Sequence, residues 1–157
     1  MGYLSSTPNL VAGGNGPGSL STQLYYPTGL AFDASSNSLY ILNQYGHTVV
    51  RWILGASTWT AVAGSPGAAG YTPFLLSYPI GFTFDYMGNL YVVDNGNHRI
   101  QLFLSGTVNG TTIAGVTGVG GNAPHLLNSP YDVALDSDLN LYVADFNNHR
   151  IQKFLRY

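Results

Sequence analysis

The feature that most constrains this chain is one sequence unit written three times. Leu24 to Asp33 (LYYPTGLAFD) aligns with Leu76 to Asp85 (LSYPIGFTFD) and Leu127 to Asp136 (LNSPYDVALD). Each stretch passes a turn containing Asn37, Asn89 or Asn140 into Leu39-Tyr40-Ile41, Leu90-Tyr91-Val92 or Leu141-Tyr142-Val143. Asn43 to Thr48 (NQYGHT), Asp94 to Arg99 (DNGNHR) and Asp145 to Arg150 (DFNNHR) follow, and the units close on Ala-Gly at Gly13, Gly64 and Gly115. The period is 51 residues, 52 in the first unit, which has one extra residue in its turn. A repeat of this length signals a stacked architecture, in which each unit buries its apolar face against the next.

Within a unit the apolar runs are short, β-branched and aromatic, and are cut by Gly, Pro, Asn and Asp. That pattern predicts four strands per unit, at residues 81–85, 90–93, 99–104 and 111–114 in the second, and no helix of period 3.6. Composition agrees: charged residues are only 8%, with 20 Gly and 12 Tyr among 157 residues. The expected fold is all-β, made of β-propeller blades. The boundaries are an orphan outer strand at 9–13, blade 1 at 24–64, blade 2 at 76–115 and blade 3 at 127–157, the last without its outer strand.

The motif Pro-x-Gly-apolar-x-apolar-Asp, then Gly-Asn-Leu-Tyr-Val-x-Asp, then Asn-His-Arg-Ile-Gln resembles the NHL repeat. The second unit follows it at Pro79, Gly81, Asp85, Gly88, Asn89, Asp94, Asn97, His98, Arg99 and Ile100. The third has Asp132 in place of a Gly and keeps Asn140, while the first carries Asn43 for the Asp and Thr48 for the Arg. The resemblance covers residues 24–157. It implies a propeller, commonly six-bladed, that serves as a scaffold; function itself has to be argued from a site.

Three blades do not close a ring, which takes about four to eight. Residues 9–13 match a fourth strand without its first three, and 127–157 supply three without a fourth. The arrangement is therefore permuted, and the resemblance implies half of a six-bladed ring. Either two copies join head to tail as a homodimer, or a longer chain supplies further blades, or the arc stands open.

Charge and chemistry narrow the function. A formal charge of −2 leaves no basic stripe, so no nucleic-acid partner is expected. No apolar run approaches a bilayer span, so no membrane partner is expected. The absence of Cys removes disulfides and thiolate chemistry and leaves the compartment open. The start, Met1-Gly2-Tyr3-Leu4-Ser5-Ser6, fits the loose myristoylation pattern that chance often produces. Gly13 to Gly18 is not a phosphate cradle, since no Lys-Ser/Thr follows.

Strand direction places the entry loops 13–26, 64–78 and 115–129 on one face with segments 43–48, 94–99 and 145–150. Tyr25, Tyr26, Tyr71, Phe74, Tyr78, His125 and Tyr131 lie there and form the candidate binding face for a protein, peptide or glycan. Asp94 with Arg99 and Asp145 with Arg150 read as structural pairs, because both charges vanish together at Asn43 and Thr48. His47, His98 and His149 recur in one slot as part of the blade. Asp33, Asp85 and Asp136 end the first strand as Asx turns. Trp52 and Trp59 belong to the first blade's core. Asn109-Gly-Thr111 is a glycosylation acceptor on the opposite face. No catalytic residue, metal ligand set or cofactor is assigned. The expected role is a non-catalytic binding module; the resemblance implies, as its rival, a substrate-recognition or sensor part of a larger protein, of ubiquitin-ligase or receptor type. The resemblance adds a metal-dependent amidating lyase as a further rival.

Overall fold

The computed structural model describes residues 7–156; the amino-terminal Met-Gly motif lies outside them. Among the described residues it holds three antiparallel sheets. The first is β1 (Pro27–Asp33), β2 (Ser38–Asn43), β3 (Thr48–Ile53) and β4 (Thr60–Gly64), in that spatial order. The second repeats it with β5 (Gly81–Phe84), β6 (Leu90–Asp94), β7 (Arg99–Phe103) and β8 (Gly110–Gly115). The third has three strands, β9 (Pro130–Leu135), β10 (Leu141–Asp145) and β11 (Arg150–Phe154).

The sheets stack face to face into a propeller-like arc, with β1, β5 and β9 adjacent along the inner edge. Both faces of the middle sheet are covered, and its central strand LYVVD is buried throughout. A strand sandwiched on both sides loses the inside-outside alternation of a one-sided sheet. Between the first and second sheets, Leu42, Val49 and Ala63 meet Leu76, Leu90, Val92 and Phe103. Between the second and third, Tyr91, Val93 and Ile100 meet Leu127, Val133, Leu141 and Val143. On the far side of the first sheet Ile41, Val50, Trp52 and Trp59 form a third cluster.

Local chemistry sets the turns. The carboxylates of Asp33, Asp85 and Asp136 accept the backbone N–H two residues on, at 2.9, 2.9 and 3.1 Å, which is the Asx-turn bond. Hydrogen bonds from the Ser35 and Ser36 hydroxyls hold the Asp33 carboxyl at about 2. The Asn140 amide does the same for Asp136, also at about 2. After the second strand of each sheet a single 3₁₀ turn (Gln44–Gly46, Asn95–Asn97, Phe146–Asn148) ends on a histidine with left-handed φ of 56°, 56° and 52°.

Residues 9–13 form no strand within this chain. Ala12 packs beside Leu24 and Leu39 on the outer face of the first sheet. The strand edge that would match them, along β11, belongs to the sheet at the opposite end of the arc.

Candidate interaction face

The repeated linkers do share one face. Backbone N–H groups of the 3₁₀ turns reach the carbonyls of the same unit's entry segment: Tyr45 to Tyr25 at 3.1 Å, Gly96 to Ser77 at 2.9 Å and Asn147 to Asn128 at 3.1 Å. Entry loop and turn are thereby tied into one rim per sheet.

On that rim the first and second sheets bring four tyrosines together. The Tyr45 ring lies 4.6 Å from Tyr26, 5.4 Å from Tyr25 and 5.4 Å from Tyr78, between centroids. His47 stands edge-on to Tyr78 at 4.7 Å. Ring pairs at these separations attract beyond their buried area, so the group is a preformed surface. It stays open to solvent: Tyr26 is 63% exposed, Tyr45 42% and Tyr78 43%. Of the aromatic residues singled out in the sequence, Tyr25, Tyr26 and Tyr78 come together here. Tyr131 pairs instead with Phe146, at 5.5 Å. Tyr71 and Phe74 are exposed on the second entry loop, and His125 is exposed on the third. Tyr45 and Phe146 were not singled out. Their slots hold Gly96 and Asn147, and Gln44 and Asn95, in the other units, so no repeat pattern marks them.

The Asp/Arg pairs lie beneath this rim. Arg99 Nε donates to Asp94 Oδ2 at 2.8 Å, and its two terminal nitrogens donate to the carbonyls of Tyr71, Thr72 and Leu75 and to Thr117 Oγ1. Asp94 also accepts from Asn97 and from the Ser77 N–H. The guanidinium thus staples the entry loop to the third strand. Arg150 and Asp145 repeat the arrangement at 2.8 Å with the carbonyls of Asn122, Ala123 and Leu126. In the first unit Asn43 accepts the Tyr25 N–H, and the loop is held by a different donor. Trp59 Nε1 donates to the Gln23 carbonyl at 2.6 Å, the position matching Leu75 and Leu126. An indole there does the guanidinium's work, an exchange hidden from the sequence because Trp59 aligns with Gly110.

The recurring histidines join neighbouring sheets. His47 Nδ1 accepts the Tyr78 N–H at 3.2 Å, and His98 Nδ1 accepts the Ser129 N–H at 3.0 Å. An accepting Nδ1 is unprotonated, and burial pushes His47 below its ordinary value in keeping with that. Among the described residues no three His, Asp or Glu side chains gather as a metal site.

Comparison with known proteins bears on this geometry. The family model for the NHL repeat matches residues 76–103 and 127–154, the two units that keep the Asp/Arg staple. The chain carries NHL repeats. It is 31% identical over 112 residues to NHL repeat-containing protein 3 of Mus musculus, covering 70% of this chain and 32% of that protein. It is 38% identical over 91 residues to NHL repeat-containing protein 2 of Bos taurus, covering 49% of this chain and 12% of that protein. The chain therefore spans a third or less of these NHL relatives. Its fold is shared with a structural genomics protein of unknown function from Bacteroides thetaiotaomicron, at a TM-score of 0.69 and 21% identity, covering 82% of this chain and 34% of that one.

Proposed function

We propose that this NHL-repeat chain is a non-catalytic interaction scaffold. Its loop face presents the Tyr26–Tyr45–Tyr78 surface to a protein, peptide or glycan. The observation that carries this reading is the preformed cluster of half-open tyrosines on the face where the repeated linkers gather. Tyrosine offers a broad apolar ring, a polar tip and few rotamers to freeze on binding. Backbone bonds within the rim hold Tyr26 and Tyr45, and His47 holds Tyr78, so ordering the rings on contact costs little. The staple beneath keeps the rim rigid and is a structural pair, not a contact for the ligand.

The test is Tyr45→Gly, which copies the residue that the second unit carries at that slot. Wild type and variant are compared on peptide and glycan arrays, and the ligands found are titrated by calorimetry. Removal of one hot-spot ring should weaken binding by about 2 kcal/mol, roughly thirtyfold. Ligands that bind both proteins equally, or that are lost only on mutation of the opposite face near Asn109, would sink the reading.

A further inference from the structure

We propose that a second copy of this chain covers the open faces of the first and third sheets, with residues 9–13 of each copy pairing as the fourth strand beside β11 of the other. Two copies then close head to tail into one ring.

The faces show what they are built to meet. Val49 on the first sheet and Ile100 on the second are fully buried by the following sheet. The matching residue on the third, Ile151, is 69% exposed. At the other end, Val133 is buried under the preceding sheet, while its counterpart Leu30 is 67% exposed. The two open faces are thus the two halves of an interface that the chain already forms twice within itself. A surface complementary to a different surface of the same molecule forms a closed ring when its rotation closes.

Register and backbone supply a second, independent match. β3 pairs β4 with Val49 opposite Ala63 and Val50 opposite Ala61, with the bulge at Val62. β7 pairs β8 with Ile100 opposite Ala114 and Gln101 opposite Thr112. The same register sets Ile151 opposite the second copy's Ala12 and Gln152 opposite its Leu10, with Val11 in the bulge. The turn that ends a fourth strand is already formed at Gly13, whose φ of 73° matches 77° at Gly64 and 80° at Gly115. A Cβ at any of the three would lie 3.2 Å from Cδ1 of Leu24, Leu76 or Leu127. At Gly64 and Gly115 it would also run into the His47 or His98 carbonyl, whereas among the described residues no carbonyl faces Gly13. In the ring that place falls to His149 of the second copy, and its Nδ1 takes the Tyr26 N–H, as His47 takes that of Tyr78.

Light scattering on the purified chain measures the outcome directly, with twice the 16.8 kDa chain mass expected. A mass of one chain overturns the proposal and assigns the open faces to further units of a longer polypeptide. A ladder of higher masses overturns closure. Ile151→Lys places a charge on the open face without touching the interior of a single chain, so the mass should halve while the β-sheet circular dichroism persists; an unchanged dimer overturns the proposal. A double variant, Ala12→Cys with Ile151→Cys, makes use of the cysteine-free background. Residues directly opposite in an antiparallel pair lie about 4.5–5.5 Å apart, within reach of a disulfide. Mild oxidation should give a covalent dimer on a non-reducing gel, and Ala12→Cys with Ile53→Cys should not. Equal cross-linking of the two pairs overturns the register. The proposal concerns sheet faces and edges, and its failure leaves the Tyr45 test untouched.

Discussion

Asp94–Arg99 in the second sheet and Asp145–Arg150 in the third are one ion pair set in two surroundings. The Nε–Oδ2 distance is 2.8 Å in both, yet Arg99 is 3% exposed and Arg150 29%. Arg99 gains Thr117, which follows the second sheet's fourth strand; among the described residues the third sheet has no fourth strand. The carboxyls respond in opposite directions. Burial pushes Asp94 above the usual carboxylate range, more than its hydrogen bonds pull it down. Asp145 feels burial too, but the bonds from Asn148, the Asn128 N–H and Arg150 outweigh it, and its carboxyl is held below that range. A repeat therefore encodes the local bonds of its unit, while its neighbour determines how much they matter.

The largest test of that contrast is removal of each guanidinium. Arg99→Ala leaves the fully buried Asp94 charge without a counter-ion, held only by Asn97 and the Ser77 N–H, and should cost about 3–5 kcal/mol in urea unfolding. Arg150→Ala leaves a carboxylate that Asn148, Gln152 and a backbone N–H still hold, and should cost about 1–3 kcal/mol. Equal losses would break the comparison. A smaller effect is expected from the histidines, measured in the Ile151→Lys background that keeps the third face open. His98→Ala strands the Ser129 N–H and should cost about 1–2 kcal/mol. His149→Ala should shift stability by less than about 0.5 kcal/mol, as surface changes do.

The pH dependence is subtler and differs in sign. Asp145 titrates lower in the folded chain than its unfolded value of 3.8, so its contribution is full above that pH and is lost as pH falls through the folded value. Asp33 and Asp136, held at about 2, behave alike. Asp94 titrates higher when folded, so it favours the native state most in acid and less as pH rises. Carbon-13 carboxyl titration should find Asp94 above 3.8 and Asp145 below it. Asp136→Asn should flatten the fall in stability between about pH 4 and 2. Asp94 and Asp145 titrating together would show that burial does not separate the two sheets.

What could be read from the residues follows the same division. Repetition marked the three units, the Asx turns and the Asp/Arg staple, because each is a bond between positions at fixed spacing. The four-strand reading of the second unit matches β5 to β8 within a residue or so at each end. Features that arise where units touch left no such mark. The Tyr45 cluster needs Tyr78 from the next unit, and Trp59 acts as a loop donor only because the fold brings Gln23 to it. The histidine slot was visible as a repeat, but its acceptor role is not, since its partner lies 31 residues away in the next unit's entry segment.

The histidine bond also bears on how the arc comes apart. The rings of His47 and His98 read the backbone of the following unit, so the first two sheets are each tied to the one after, and cohesion passes from one neighbour to the next. In a single copy, loss of the last unit would release the histidine of the one before it, and the arc would open sequentially from an end, the way a zip does, rather than all at once.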